Sequence, residues 1–369
     1  MSDTRIVYIG TYTEPILFGT GQVLQGKGKG IYTYSFDGRD GGMKSLGMAE
    51  GIINPSYIAF GADRATLYAV NELKTWEGEP TGTVSAYRIG SDPSKLRFLN
   101  LRATSGTDPC HLALDRSGRY LAAANFRTGS VALYPILHDG SIGERSFFSQ
   151  HQGASIDSKR QAGPHAHAVI FDLSNKHFLV PDLGIDSIVV YDFDASTGNA
   201  SLNERASIPV AAGQGPRSLE YHPSGKFAYL INELGSTVTA LRVAGGNPLM
   251  EAVQTVSTLP QGYTGSSTCA DIHITPAGDY LYASNRGHDS LVIFAVDVRT
   301  GRLTSRGHIS THGQIPRNFA IDPTGRFVLV ANQDSDNIVV FEINPQDGSL
   351  KFTGTEVAVP TPVCVQFAP

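Results

Sequence analysis

One phrase returns, altered, along the whole chain. Its fullest copy runs Gly215-Pro216-Arg217-Ser218-Leu219-Glu220-Tyr221-His222-Pro223-Ser224-Gly225, then an apolar stretch to Asn232, then Ser236-Thr237-Val238. The proline recurs as Pro55, Pro109, Pro164, Pro216, Pro316 and Pro362, with Cys269 in its place in the fifth copy, and the steps between them run from 46 to 55 residues. A period of roughly 40–50 residues built from short apolar strands marks a propeller in which each repeat is one four-stranded blade. A single blade cannot bury its own faces, so the repeat overrides the two or three domains that length alone suggests. The chain is read as one all-β domain over residues 1–369.

Each copy parses alike. In the fourth, Pro216 to Tyr221 is a strand, His222 to Gly225 a tight turn, Phe227 to Asn232 a second strand and Thr237 to Val243 a third. The turn recurs at Asp115–Gly118, Thr275–Gly278 and Asp322–Gly325, and is degenerate at Gly61-Ala-Asp and Asp172–Asn175. The last copy supplies only a first strand, and residues 5–37 supply later strands with none before them. Pairing the two ends in one shared blade gives a seven-bladed ring and removes the open sheet edge. Two polar, Gly-rich stretches, 13–29 and 149–163, stand outside the repeat, and the second should lie at the mouth of the central channel.

Composition agrees and excludes several functions. Apolar residues make up 41% and charged residues 17%, with 40 Gly and 20 Pro, which suits many short strands joined by turns. A formal net charge of -5 argues against nucleic acid as a partner. With no signal-peptide pattern and no long apolar run, the protein is expected to be soluble, cytoplasmic and without a membrane partner. Cys110, Cys269 and Cys364 have no metal-ligand spacing and are expected to be free, buried thiols.

Repetition also locates the chemistry, because every blade presents the same positions to one channel. The slot after each repeat proline reads Ser56, Cys110, His165 or His167, Arg217, Ala270, Arg317 and Val363. Two arginines and a histidine here suggest a site for an anion or a polarised carbonyl, with arginines sealing the ring through main-chain carbonyls as the alternative. A second slot, at the end of each second strand, carries Asn71-Glu72, Asn125-Phe126, Asp182-Leu183, Asn232-Glu233, Asn285-Arg286 and Asn332-Gln333. The near-uniform Asn or Asp reads as a structural cap, and the residue beside it as the variable, functional one. Glu72 reads as a solvated rim charge, whereas Glu233, in the same repeat as Arg217, is the better acid–base candidate. His165 and His167 are placed on one face of a strand. Zinc would need a third ligand, for which His111, His273 and Asp271 are scattered, and no carboxylate cluster suits calcium, so no cofactor is expected.

Many of these segments resemble the seven-bladed lactonase family typified by the propeller-type bacterial 6-phosphogluconolactonases, with fungal carboxymuconate-lactonizing enzymes as relatives. The likeness rests on Tyr8–Thr13, Gly163–His167, Val180–Gly184, Gly215–Arg217, Asn232–Leu234, Ser284–Asp289 and Ile315–Phe319, and spans the chain. It implies an active site of a histidine (His165 or His167), Arg217, Glu233 and Arg286. The expected reaction is metal-independent hydrolysis of a sugar lactone, phosphorylated or not. Arg217 and a histidine would polarise the carbonyl, Glu233 would activate water, and Arg286 and Arg317 would hold a substrate anion. Asp182 and His111 complete the expected substrate-binding set. A muconate-type cycloisomerase and a non-catalytic interaction propeller are the alternatives.

Overall fold

Strands this short cannot satisfy their backbone alone, so each must find a neighbour in register. In the computed structural model, which describes residues 4–246 and 249–369, they do so as seven antiparallel blades. The fourth blade shows the pattern: Pro216–Tyr221 lies innermost, followed outward by Phe227–Asn232, Thr237–Val243 and Met250–Ser257. The closing blade is shared as expected. Pro362–Phe367 pairs antiparallel with Thr4–Thr11, which continues outward to Gly30–Asp37 and Met43–Glu50. The described residues contain no helix, and so none long and apolar enough to cross a membrane.

Packing between blades supplies the core. Phe227, Tyr229 and Ile231 of the fourth blade meet Ile272, Leu281 and Phe294 of the fifth in one buried cluster. All three cysteines are buried and unpaired. The turns are fastened by their first residue. Asp322 accepts hydrogen bonds from the backbone N–H groups of Thr324, Arg326 and Phe327 at 3.0, 2.7 and 2.7 Å. Asp172 does the same for Lys176 and His177, and Asn175 takes the glycine's place at a φ of 57°. The degenerate turn therefore works because Asn tolerates the left-handed region better than most residues.

The third blade corrects one assignment. In five blades the N–H of the residue after the second strand donates to the residue preceding the repeat proline: Tyr12 to Thr361, Glu72 to Asn54, Phe126 to Asp108, Glu233 to Gly215 and Gln333 to Ile315. In the third blade Leu183 donates to His165 instead. Ala166, not Pro164, thus occupies the repeat position, and His167 is the channel residue. The innermost strand here is reduced to Ile170–Phe171, with one isolated bridge between Ala166 and Asp182.

On the side of the ring away from the two insertions, a polar chain ties four blades together. Glu220 accepts from His273 Nδ1 at 2.8 Å, and His273 Nε2 lies 3.1 Å from Asp271, which accepts from Asn318 Nδ2 at 2.5 Å. Asn318 in turn accepts from the Val365 N–H of the closing blade at 2.6 Å. Burial opposes protonation of His273, but Asp271 and Glu220 outweigh it and hold the imidazolium well above the ordinary 6.5. A folded-state value above the unfolded one contributes stability that is complete below about 6.5 and fades as pH rises through the raised value. Urea unfolding is accordingly expected to show a decline in stability on the alkaline side of neutrality that His273→Gln abolishes.

Candidate functional site

The seven innermost strands deliver one slot residue each to the axis. Ser56, Cys110, His167, Arg217, Ala270, Arg317 and Val363 all line a cavity of about 530 Å³ on the side opposite the insertions. Glu72, Cys110, His167, Arg217 and Arg317 also line a second cavity, of about 770 Å³, under the insertions. These five side chains therefore form the waist of the channel. Above it the second slot contributes Glu72, Phe126, Glu233, Arg286 and Gln333 to the larger cavity.

Glu233 is the centre of an ionic knot. Its Oε2 accepts from Arg217 Nη1 at 2.6 Å and lies 2.9 Å from Arg286 Nη2, while Oε1 accepts from Arg160 Nη2 at 2.6 Å. Burial alone would raise its pKa, but Arg286, Arg217 and Arg160 outweigh burial and hold the carboxyl well below the usual range. Arg217 also donates through Nε to the Ala270 carbonyl at 2.5 Å and through Nη1 to His167 Nε2. Because a guanidinium only donates, His167 must accept there and carry its hydrogen on Nδ1, which lies 3.7 Å from Cys110 Sγ. Burial and the charge of Arg217 push His167 well below 6.5, so it is neutral and orients Arg217. Burial brings Arg286 down to about 10, still charged at neutral pH. It donates to the Cys269 carbonyl at 2.7 Å, so ring-sealing and charge placement are one job for Arg217 and Arg286.

Arg317 is arranged differently. Among the described residues it makes no hydrogen bond and no salt bridge. Its guanidinium carbon sits 5.3 Å from the ring centres of both Tyr12 and Phe18, a cation–π seat that leaves its N–H groups uncommitted. Tyr12 also donates from its hydroxyl to Glu72 Oε2 at 2.9 Å. Glu72, expected on the rim, is 5% exposed and stands in the waist. The expectation failed because the first blade places the end of its second strand deep in the channel, as every other blade does.

Three expected site residues are not brought to this cluster. His165 stacks on Phe126 at 4.8 Å and its Nδ1 donates to the Phe126 carbonyl at 3.0 Å, away from Arg217. The fully buried Asp182 carboxylate bonds His151 through Oδ2 at 2.6 Å, while Oδ1 accepts from the N–H groups of His165 and Gly184. It is therefore the structural cap that the second slot carries in other blades, and no oxygen is left for a substrate. His111 lies under Tyr57, with ring centres 4.1 Å apart, on the wall of the smaller cavity. Burial pushes it down to about 4. No three His, Cys, Asp or Glu side chains among the described residues are disposed to hold a metal ion.

Three others come from segments outside the repeat or at its incomplete end. Arg160 sits on the 149–163 insertion, which is clamped by Ser155 and Gln161 to Asp186 at 2.6 and 2.8 Å, and by His151 to Asp182. Asp157 Oδ1 accepts the N–H groups of Lys159 and Arg160, fixing the turn that aims the guanidinium at Glu233. Phe18 belongs to the small hairpin Ile16–Leu17 and Val23–Leu24 that roofs the larger cavity. Tyr12 follows the strand Thr4–Thr11 and so occupies the second slot of the shared blade, a position findable from the sequence by aligning Thr11-Tyr12 with Asn71-Glu72.

Removing the charge of Glu233 leaves three guanidiniums facing one another. Glu233→Gln is expected to cost about 3–5 kcal/mol of stability, the usual penalty for breaking a buried ion pair. A carboxyl held below its unfolded value contributes stability that is full above about 4.5 and lost as pH falls further, so acid unfolding of the wild type should steepen below that pH and that of the variant should not.

Comparison with known proteins agrees with this architecture. Residues 6–367 match the family model described as lactonase, 7-bladed beta-propeller. The chain is 33% identical over 362 residues to a 6-phosphogluconolactonase of Bacillus subtilis, covering 98% of each chain. It is 34% identical over 320 residues to a 6-phosphogluconolactonase of Formosa agariphila, covering 86% of each. Among solved structures, the periplasmic gluconolactonase of Pseudomonas aeruginosa superposes with a TM-score of 0.90 at 35% identity, covering 99% of each chain. The chain belongs to the seven-bladed β-propeller lactonase family.

Proposed function

We propose that this protein hydrolyses a sugar lactone in the larger cavity, above the waist of the channel. The observation that carries the reading is Arg317: a guanidinium seated on two aromatic rings inside a cavity, with its donors unspent, beside a second guanidinium whose direction is fixed. Hydrolysis of a lactone develops negative charge on the carbonyl oxygen, and preorganised donors aimed at that oxygen supply much of the rate. Arg317 provides uncommitted donors, and among the described residues no partner takes Arg217 Nη2 after its bonds to Ala270, His167 and Glu233. Glu233 holds Arg160, Arg217 and Arg286 in one arrangement, and a carboxylate so strongly stabilised is a poor acceptor for a proton from water. Its role in this reading is to fix the arginines rather than to activate water. Five arginines face four carboxylates in the lining of this cavity, a small positive excess that favours a lactone carrying an anionic group, such as a phosphate or carboxylate. Similarity to 6-phosphogluconolactonases and a gluconolactonase supports both the reaction and the substrate class.

A panel of aldonic lactones, phosphorylated and unphosphorylated, with a muconate alongside, tests the reading when run with and without a chelator. Ring-opened acid should form from a sugar lactone, at the same rate in both conditions. Turnover of the muconate alone, or activity lost on chelation and restored by a divalent ion, would contradict it. Arg317→Ala should lower kcat by roughly 10²–10³-fold, the usual cost of removing one oxyanion donor.

A further inference from the structure

Resting on the lactonase reading, we propose that Glu72 is the group that moves the proton, with Tyr12 as its positioning residue. Hydrolysis needs a base for the attacking water and an acid for the departing ring oxygen. The neutral imidazole of His167 spends its Nε2 lone pair on Arg217, and Glu233 is committed on both oxygens to three guanidiniums. Cys110 is a buried thiol whose pKa burial drives upward, leaving no thiolate to attack. Glu72 stands in the same waist, is almost wholly buried, and has no cation within salt-bridge distance among the described residues. Its Oε2 accepts from the Tyr12 hydroxyl, whose ring also seats Arg317, so Tyr12 places base and oxyanion donor side by side.

The charges that face Glu72 are Arg317 of the sixth blade and Asp108 of the second, with Tyr12 of the closing blade as its hydrogen-bond donor and Cys110 beside it. Burial leads, opposed by Arg317 and reinforced by Asp108, and the carboxyl is raised from its ordinary 4.5. Two carboxylates in one channel are thereby pushed in opposite directions, the pattern that separates a permanently ionised group from one that exchanges protons. The step balances with nothing added. Glu72 carboxylate takes a proton as the water oxygen bonds to the carbonyl carbon, and the C=O π electrons move onto the oxygen held by Arg317. On collapse the ring C–O bond breaks, and Glu72 returns the proton to the ring oxygen, giving the hydroxy acid and the original carboxylate.

The test compares the wild type with Glu72→Gln, Glu72→Asp and Tyr12→Phe on a lactone that the wild type turns over, with kcat and KM followed against pH. Glu72→Gln should lose roughly 10²–10⁴ in kcat, the usual contribution of general acid–base catalysis, with KM within a few-fold. Glu72→Asp should recover part of the loss. Because the Tyr12 hydroxyl donates to the ionised carboxylate, Tyr12→Phe should move the acid limb of the pH profile to higher pH. Calorimetric binding of the hydroxy acid product to Glu72→Gln shows that the variant keeps its site. Wild-type turnover with Glu72→Gln within threefold of it, or an acid limb unmoved in Tyr12→Phe, would overturn the assignment while leaving the lactonase reading standing. A wild type inert to every lactone would overturn both.

Discussion

One backbone hydrogen bond, made in six of the seven blades, decides which side chains meet on the axis. The N–H that follows the second strand donates to the carbonyl two residues before the channel slot, as Glu233 does to Gly215 and Gln333 to Ile315. That bond fixes the start of the innermost strand against the end of the second, so both slots point into the channel at set heights. Several of the accepting residues adopt left-handed backbone to make it, including the β-branched Ile315 at a φ of 57° and Thr361 at 45°. Such conformations are costly outside glycine and persist only where the surroundings over-determine them. Here they ring the channel mouth.

With the backbone fixed, electrostatics differentiates positions that geometry makes equivalent. Glu72 and Glu233 occupy the same slot in different blades and are comparably buried, at 5% and 4% exposure. Burial pushes both toward the neutral form. Three guanidiniums reverse that for Glu233, and no comparable ion pair among the described residues does so for Glu72. The arginines divide along the same line: Arg160, Arg217 and Arg286 are held by Glu233, while Arg317 rests on Tyr12 and Phe18 with no hydrogen-bond partner among the described residues. The channel thus has a side where the guanidiniums are held by a carboxylate and a side where one rests on aromatic rings.

The repeat made the ring, the shared blade and most of the channel legible in the sequence, since a period of prolines and turns reports backbone geometry directly. Arg217, Glu233 and Arg317 could be lined up because their blades keep the full phrase, and Arg286 because its blade keeps the turn and the Asn although Cys269 replaces the proline. Legibility failed where the phrase is broken. The third blade slips by two residues, which made His165 and His167 inseparable until the Leu183 to His165 bond showed which one stands in the slot. Tyr12 lies in a half-blade whose first strand comes from the other end of the chain, so only the match of Thr11-Tyr12 to Asn71-Glu72 marks its slot. Arg160 could not be placed because it lies in an insertion without periodicity, and its aim depends on bonds from Ser155, Asp157 and Gln161. Asp182 and Asn232 look alike in sequence as turn caps, and only the partners of Asp182 show that its oxygens are spent.

The central claim is that the chemistry happens where the waist meets the larger cavity, between Glu72 and Arg317. A crystal structure with the hydroxy acid product, or a slowly hydrolysed lactone analogue, tests it most directly. The account predicts the carboxyl or carbonyl carbon in the larger cavity, with one oxygen within hydrogen-bond reach of Arg317 and the Glu72 carboxylate facing the same carbon. A ligand seated in the smaller cavity beside His111, or one whose carbonyl meets neither Glu72 nor Arg317, would contradict it.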